Sequence, residues 1–140
     1  MNKRGISVCC LFLFASLLPA YADGKDKTQY PHVTVTELIK AAQNFNGRKV
    51  VVSGCYVWSF EVSTLFSCEQ EHDTSQRIWV EMSPAFEGRK KLKEGGGYYR
   101  QVAVLGTFAT GGHYGHQQLR HLLSVERVYS MGPNQKFKTN

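Results

Sequence analysis

The chain has 140 residues, with seventeen basic and eleven acidic side chains and a net charge of +6. That length suggests one domain, and the mild basic excess allows an anionic partner without demanding one. No Walker loop, G-x-S-x-G elbow, H-E-x-x-H helix or C-x-x-C pair occurs, which argues against the familiar hydrolases, kinases and thiol oxidoreductases.

Residues 1–22 read as a secretory signal peptide. Lys3 and Arg4 precede an apolar run from Ile6 to Leu18, and Ala20-Tyr21-Ala22 supplies the small-residue exit. The run is too short to span a bilayer comfortably. Cys9 and Cys10 stand ahead of most of it, whereas a lipid-attachment cysteine belongs at its end. The expected location is therefore the periplasm or the medium, with no membrane span after cleavage. Removing 22 of the 140 residues leaves 118, enough for one modest core. Without Lys3 and Arg4, fifteen basic side chains face eleven acidic ones, a net of +4.

Residues 23–32 are polar and punctuated by proline, and are expected to form a flexible mature N-terminus. The folded domain is expected over 33–131 and a flexible tail over 132–140. Leu38, Ile39, Ala42 and Phe45 recur at helical spacing, with Thr36 as the expected N-cap and Asn46-Gly47 as the stop. That predicts a helix near 37–44.

Strands follow. "RKVVVSGCYVW" alternates so that Val50, Val52, Gly54, Tyr56 and Trp58 share one face. "FEVSTLFSC" is the second strand. "RIWVEM" is the third, with Ile78 and Val80 opposite Trp79. "YYRQVAVLGTFA" and "LLSVERVYSM" are the fourth and fifth. Between the third and fourth, Ser83 is the expected N-cap and Pro84 the first residue of a short helix that Gly95 to Gly97 stop. Its Lys90, Lys91 and Lys93 read as a solvated face complementing the helix dipole.

A nonapeptide pattern, R-x-V-x-V-x-G-x-aromatic, occurs twice, from Arg48 to Tyr56 and from Arg100 to Phe108. It holds strand-forming residues and a glycine that lets a coiled strand bend, and none of its shared positions carries a nucleophile or a ligand set. The expected fold is mainly β: a five-stranded OB-like Greek-key barrel, with an N-terminal helix and a short helix between strands three and four.

Outside the leader the cysteines are Cys55 and Cys68. An even count in an exported chain favours a disulfide, ahead of two buried thiols or a metal site. If the two face each other across a hairpin, its midpoint falls between Glu61 and Val62, and a longer loop or bulge is expected near 58–63. A zinc reading of Cys55, Cys68 and His72 matches no common ligand spacing.

With these segments in place, the chain resembles a group of small exported bacterial OB-fold proteins. The resemblance rests on Val33 to Leu38, Asn46 to Gly54, Ile78-Trp79, Val102 to Phe108 and the G-H-x-G loop from Gly112 to Gly115. It implies a fold and export, and no reaction.

Site candidates come from the loops. In OB-folds the first and fourth inter-strand loops flank a face that binds oligonucleotides or oligosaccharides. Here these loops are expected near Trp58 to Ser63 and Ala109 to Gln118, with Trp58, Phe60, Trp79 and Tyr114 as stacking candidates. His113, His116 and Arg120 join them as candidate ligand contacts, with His121 a further imidazole. Tyr56 and Trp79 are expected in the core ahead of any platform role. The acidic run Glu69 to Asp73 reads as a polar loop, lacking the spacing and glycine of a calcium loop.

The leading expectation is a non-catalytic binding module for an envelope oligosaccharide, an anionic ligand or a protein partner. One alternative is a metal-dependent or His/carboxylate enzyme using His113, His116 and the acidic run. Another is an inhibitor or accessory subunit of an exported protein. No catalytic residue, metal site or cofactor is assigned. Nucleic acid is disfavoured because little of it is found outside the cell. N-terminal sequencing of the exported protein is expected to begin at Asp23-Gly24-Lys25; an unprocessed N-terminus would exclude the cleavage site.

Overall fold

A computed structural model of the chain describes residues 29–84, 86, 88–94 and 98–136. The signal peptide read at 1–22, most of the polar lead and the expected helix stop at Gly95 to Gly97 lie outside the described residues. In chain order the elements are β1 His32–Thr34, α1 Val35–Lys40, α2 Ala42–Phe45, β2 Lys49–Trp58, β3 Ser63–Phe66, a 3-10 turn Thr74–Gln76, β4 Arg77–Met82, α3 Arg89–Lys93, β5 Tyr99–Tyr114 and β6 Leu119–Met131. Among the described residues no helix is long and apolar enough to cross a membrane.

The fold is mainly β, and its sheet closes in a ring. The strand order is β1-β2-β3-β4-β6-β5, with β5 pairing back onto β2. Pairings are antiparallel except β1 with β2 and β4 with β6. Five strands are expected from the sequence and a sixth is present. His32–Thr34, at the edge of the supposedly flexible lead, pairs with Val51–Ser53 and covers the β2 edge until β3 takes over at Cys55.

Val50, Val52 and Tyr56 of β2 point into the ring with Leu65, Ile78, Val80, Val104, Phe108 and Leu123, while Val35 and Leu38 of α1 and Leu92 of α3 complete the core. Each such burial stabilises the fold by roughly 1.5–3 kcal/mol. Cys55, Val57, Phe66 and Tyr99 form a second, smaller cluster.

The first helix begins two residues earlier than its periodicity suggests. Thr34, not Thr36, is the N-cap: its Oγ1 accepts from Glu37 N–H, and Glu37 Oε2 accepts from Thr34 N–H at 2.8 Å. This capping box satisfies two orphan amides at once. The later helix is shorter than expected. It starts at Arg89 with Gly88 as N-cap, not after Ser83. Ser83 closes a turn instead, its carbonyl accepting from Phe86 N–H, and Phe86 packs against the core. Burying that ring, next to a glycine that favours helix poorly, delays the helix.

Cys55 and Cys68 form a disulfide with Cα atoms 5.1 Å apart. The register behind it differs from the expected one. Cys55 lies opposite Phe66, so Cys68 reaches back from two residues beyond the end of β3. The loop is tighter than expected: Ser59 and Val62 exchange both backbone hydrogen bonds around Phe60-Glu61, with neither loop residue at positive φ. Closing a loop of this length stabilises the fold by about 3 kcal/mol.

The segment expected as a loop from Ala109 to Gln118 is mostly strand. β5 continues to Tyr114 through an irregularity after Thr110, and only 115–118 turn, with Gln118 at φ 52°. The tail is tied at its start. Gln135 exchanges backbone hydrogen bonds with Tyr99, and Gly132 N–H donates to Gln101 O; residues 137–140 lie outside the described residues.

The repeated nonapeptide has a geometric reason. Its two copies pair with each other, antiparallel, so that Val52 faces Val104. Gly54 faces Val102, Gly106 faces Val50, and Tyr56 faces Arg100. At the other end Arg48 and Phe108 meet through the bond from Phe108 N–H to Arg48 O. Each arginine also ties down the helix before its strand: Arg48 donates to Asn44 O, and the buried Arg100 donates to Lys91 O and Glu94 O. Each glycine lies where a neighbour crosses closely. A Cβ on Gly54 would stand 2.8 Å from Phe66 O, and one on Gly106 would stand 2.6 Å from Ser124 O. We expect Gly106→Ala to lower stability by roughly 2 kcal/mol, because the obstacle is backbone. Gly132→Ala, whose Cβ would meet nothing nearer than 3.5 Å, should stay within about 0.5 kcal/mol of the parent. Urea denaturation of the two variants compares them.

Candidate functional site

Both hairpin tips contribute to one groove of about 240 Å³, which runs between β4 and α3. Trp58 ends β2 and Phe60 occupies the two-residue turn, where it is 96% exposed. From the other tip comes His116, and from β4 comes Trp79. Arg89 and Lys93, four residues apart and so on one face of α3, form the opposite wall, with Glu61 and Glu81 as the carboxylates.

Lys93 lies over the Trp58 ring, 5.3 Å from its centroid, a cation–π contact. Burial and then the neighbouring Arg89 hold the Lys93 ammonium below its ordinary pKa. Trp79 points out of the ring, opposite Ile78 and Val80. The expectation that it sits in the core is corrected: the β5–β6 turn roofs it. A side chain at Gly115 would overlap its indole, and the His116 ring meets it edge-on with centroids 6.5 Å apart. Tyr56 is a core residue as expected. Its hydroxyl meets Ser63 Oγ at 3.1 Å, and burial pushes its pKa up to about 12, against the lowering influence of that bond.

Of the six candidate contacts, Trp58, Phe60 and His116 come together here, whereas His113, Tyr114 and Arg120 do not line this groove. Tyr114 folds back over Gly112 of its own strand. His113 and Tyr114 belong to the end of β5, where a loop was expected, and Arg120 lies on β6 and lines a different groove. Arg89, Lys93 and Glu81 were not among the candidates. Their signal was the four-residue spacing of two cations on a short helix, which reads equally well as a solvated face.

Other sequence candidates have local roles. Asp73 Oδ1 accepts from Ser75 N–H and Oγ–H and caps the 3-10 turn, and these bonds lower its pKa. Glu71 contacts His72 at 3.2 Å. The disulfide takes both sulfurs of the proposed Cys55, Cys68, His72 zinc set. Among the described residues no three His, Cys, Asp or Glu side chains stand together as a metal site would require. A larger cleft, about 730 Å³, lies beside Gly54 and is lined by Ser53, Ser67, Gln101 and Ser130, with Glu69 as its charged group. Among the described residues it has no aromatic platform and no cation, so the smaller groove offers more ways to hold a ligand.

His121 is half-buried. Its Nδ1 meets Thr110 Oγ1 at 2.8 Å, and its ring stacks on Phe108 with centroids 5.7 Å apart. Burial, and then Arg120, lower its pKa. No family model matches the chain, and no curated protein matches it.

An imidazole whose folded pKa is depressed supports folding while it is neutral in both states. That support is present above the ordinary value of 6.5 and is lost as pH falls from there toward the lowered value. We expect an NMR titration to place the His121 midpoint below 6.5, and Arg120→Gln to move it part of the way back. A midpoint at or above the ordinary value would contradict the burial.

Proposed function

We propose that this chain is an exported, non-catalytic binding module of OB-like design, and that its ligand is an oligosaccharide seated between Trp58, Phe60 and α3. The strand order supports the OB-like reading. Five strands run β2-β3-β4-β6-β5 and back to β2, β4 and β6 are parallel, and α3 falls between β4 and β5. The motif resemblance to small exported bacterial OB-fold proteins agrees with it, and a disulfide suits an oxidising compartment.

The observation that carries the functional reading is convergence. The two loops that flank the ligand face of an OB-fold, here the Phe60-Glu61 turn and the 115–118 turn, both reach the same groove. Its size is below the roughly 300–1,000 Å³ of enclosed ligand pockets, which suits one ring unit of a chain that continues into solvent. A sugar ring offers apolar C–H faces to aromatic side chains and hydroxyls to Glu61, Glu81, Arg89 and Lys93. The paired carboxylates disfavour nucleic acid, whose affinity rests on cations along a phosphate backbone.

Phe60 favours a second reading. A nearly fully exposed aromatic on a hairpin tip is the kind of anchor that protein interfaces use, as an inhibitor or accessory subunit would.

The purified protein can be screened by tryptophan fluorescence against chito-oligosaccharides, peptidoglycan fragments and acidic oligosaccharides. A saturable change is expected with at least one, and Phe60→Ala and Lys93→Gln should each weaken it about tenfold. Tyr129→Ala, an exposed aromatic outside the groove, should leave it unchanged. Absence of binding across all three classes, or binding indifferent to both groove substitutions, would exclude this site.

A further inference from the structure

The 115–118 turn divides two grooves. His116 faces the one described above, while Gln117 and Gln118 line a second, of about 520 Å³, on the other side of the turn. We propose that this second groove is a seat for an oxyanion, a phosphate or sulfate group, held by Arg77, Arg120 and His121.

Composition is the first argument. Among the described residues the charged side chains of the lining are Arg77 and Arg120, joined by His121, the hydroxyls of Thr74 and Ser75 and the two glutamine amides, with no carboxylate. The lining offers two guanidinium groups, the Thr74 hydroxyl and the glutamine amides as donors, while Asp73, beside it in the chain, keeps its charge with Ser75 as its donor.

The state of Arg77 is the second. Its guanidinium rests on the Phe66 ring, 5.5 Å from the centroid, and NH2 donates to Glu71 O at 2.8 Å. Nε is buried with no hydrogen-bond partner, and among the described residues no carboxylate forms an ion pair with Arg77 or Arg120. Nε is closed off from solvent, so what Arg77 offers a ligand is its uncompensated charge at the groove wall, and a planar guanidinium matches the oxygen spacing of phosphate or sulfate.

His121 is the third. Its Nδ1 is held by Thr110, which fixes the ring at the groove wall. Burial and Arg120 disfavour its charged form. An oxyanion beside Arg120 offsets that repulsion, so occupancy raises the His121 pKa. This seat uses none of Trp58, Phe60 or Lys93, and it stands or falls apart from the oligosaccharide site.

The test is an NMR titration of the full protein at constant ionic strength. It follows the His121 ring and the Arg77 and Arg120 Nε–H signals as sodium chloride is replaced by inorganic phosphate. Parallel arms use a sulfated disaccharide and phosphatidylglycerol vesicles, with phosphatidylcholine vesicles as control. Saturable shifts with phosphate, an upward move of the His121 midpoint, and a loss of about tenfold in affinity in Arg120→Gln are expected. Arg77→Gln should weaken binding too; because it uncovers Phe66, the exposed Arg120 carries the test if that variant does not fold. Phe60→Ala should bind phosphate as the parent does. A response only to the sulfated disaccharide or only to phosphatidylglycerol supports the seat and identifies the carrier of the anion. Shifts no larger than those of chloride in every arm, or affinity unchanged in Arg120→Gln, overturn it.

Discussion

Everything in this fold depends on the pairing of β2 with β5. These strands lie side by side from Lys49–Thr107 to Val57–Tyr99, and that contact turns an open sheet into a ring. It works because neither partner obstructs its other neighbour. β2 must also take β3 and β5 must also take β6, and each does so with a close backbone approach at a glycine. Gly54 and Gly106 remove the Cβ atoms that would strike Phe66 O and Ser124 O. Since the two copies of the nonapeptide face each other about Val52 and Val104, one steric demand is met twice by the same residues. The arginines extend the symmetry, each holding the end of the helix that precedes its strand.

Ring closure also decides what the hairpins can do. The β2–β3 turn and the β5–β6 turn meet at the groove between β4 and α3. Arg100 holds α3 by two of its last carbonyls, and that places Lys93 over Trp58. The two copies differ where their strands separate. Cys55 occupies the slot of Thr107; the cysteine binds Cys68 beside the small cluster around Phe66, whereas the threonine bonds to Glu126. One side of the molecule is thus covalently closed. The other extends into the long hairpin whose turn separates a balanced aromatic groove from a cationic one.

Strands were legible where alternation was strong. "RIWVEM" is strand from Arg77 to Met82, with Ile78 and Val80 inward, because a six-residue period-2 pattern with β-branched and aromatic residues has few alternatives. Boundaries governed by side-chain hydrogen bonds or by a distant packing site were less legible. Thr34 and Thr36 are equally good caps in isolation, and only Glu37 reaching back selects the first. The helix after Ser83 was shortened by Phe86 joining the core, which no local propensity reveals. The site was half legible. Loop aromatics singled out Trp58 and Phe60, while Arg89 and Lys93 were hidden in a basic helix and Arg77 in a strand.

By itself the sequence determined the β-rich class, the five main strands in outline, the pairing of Cys55 with Cys68 and the role of two glycines. Those follow from residue periodicity, cysteine count and missing Cβ atoms, which are local properties. Only the tertiary structure decided the register that puts Cys55 opposite Phe66, the roofing of Trp79 by Gly115, and the separation of His116 from His121 into different grooves. These depend on how tightly one turn closes and on where a bulge rotates a strand. A one-residue change in either moves a side chain to the opposite face, and no pattern along the chain records that choice.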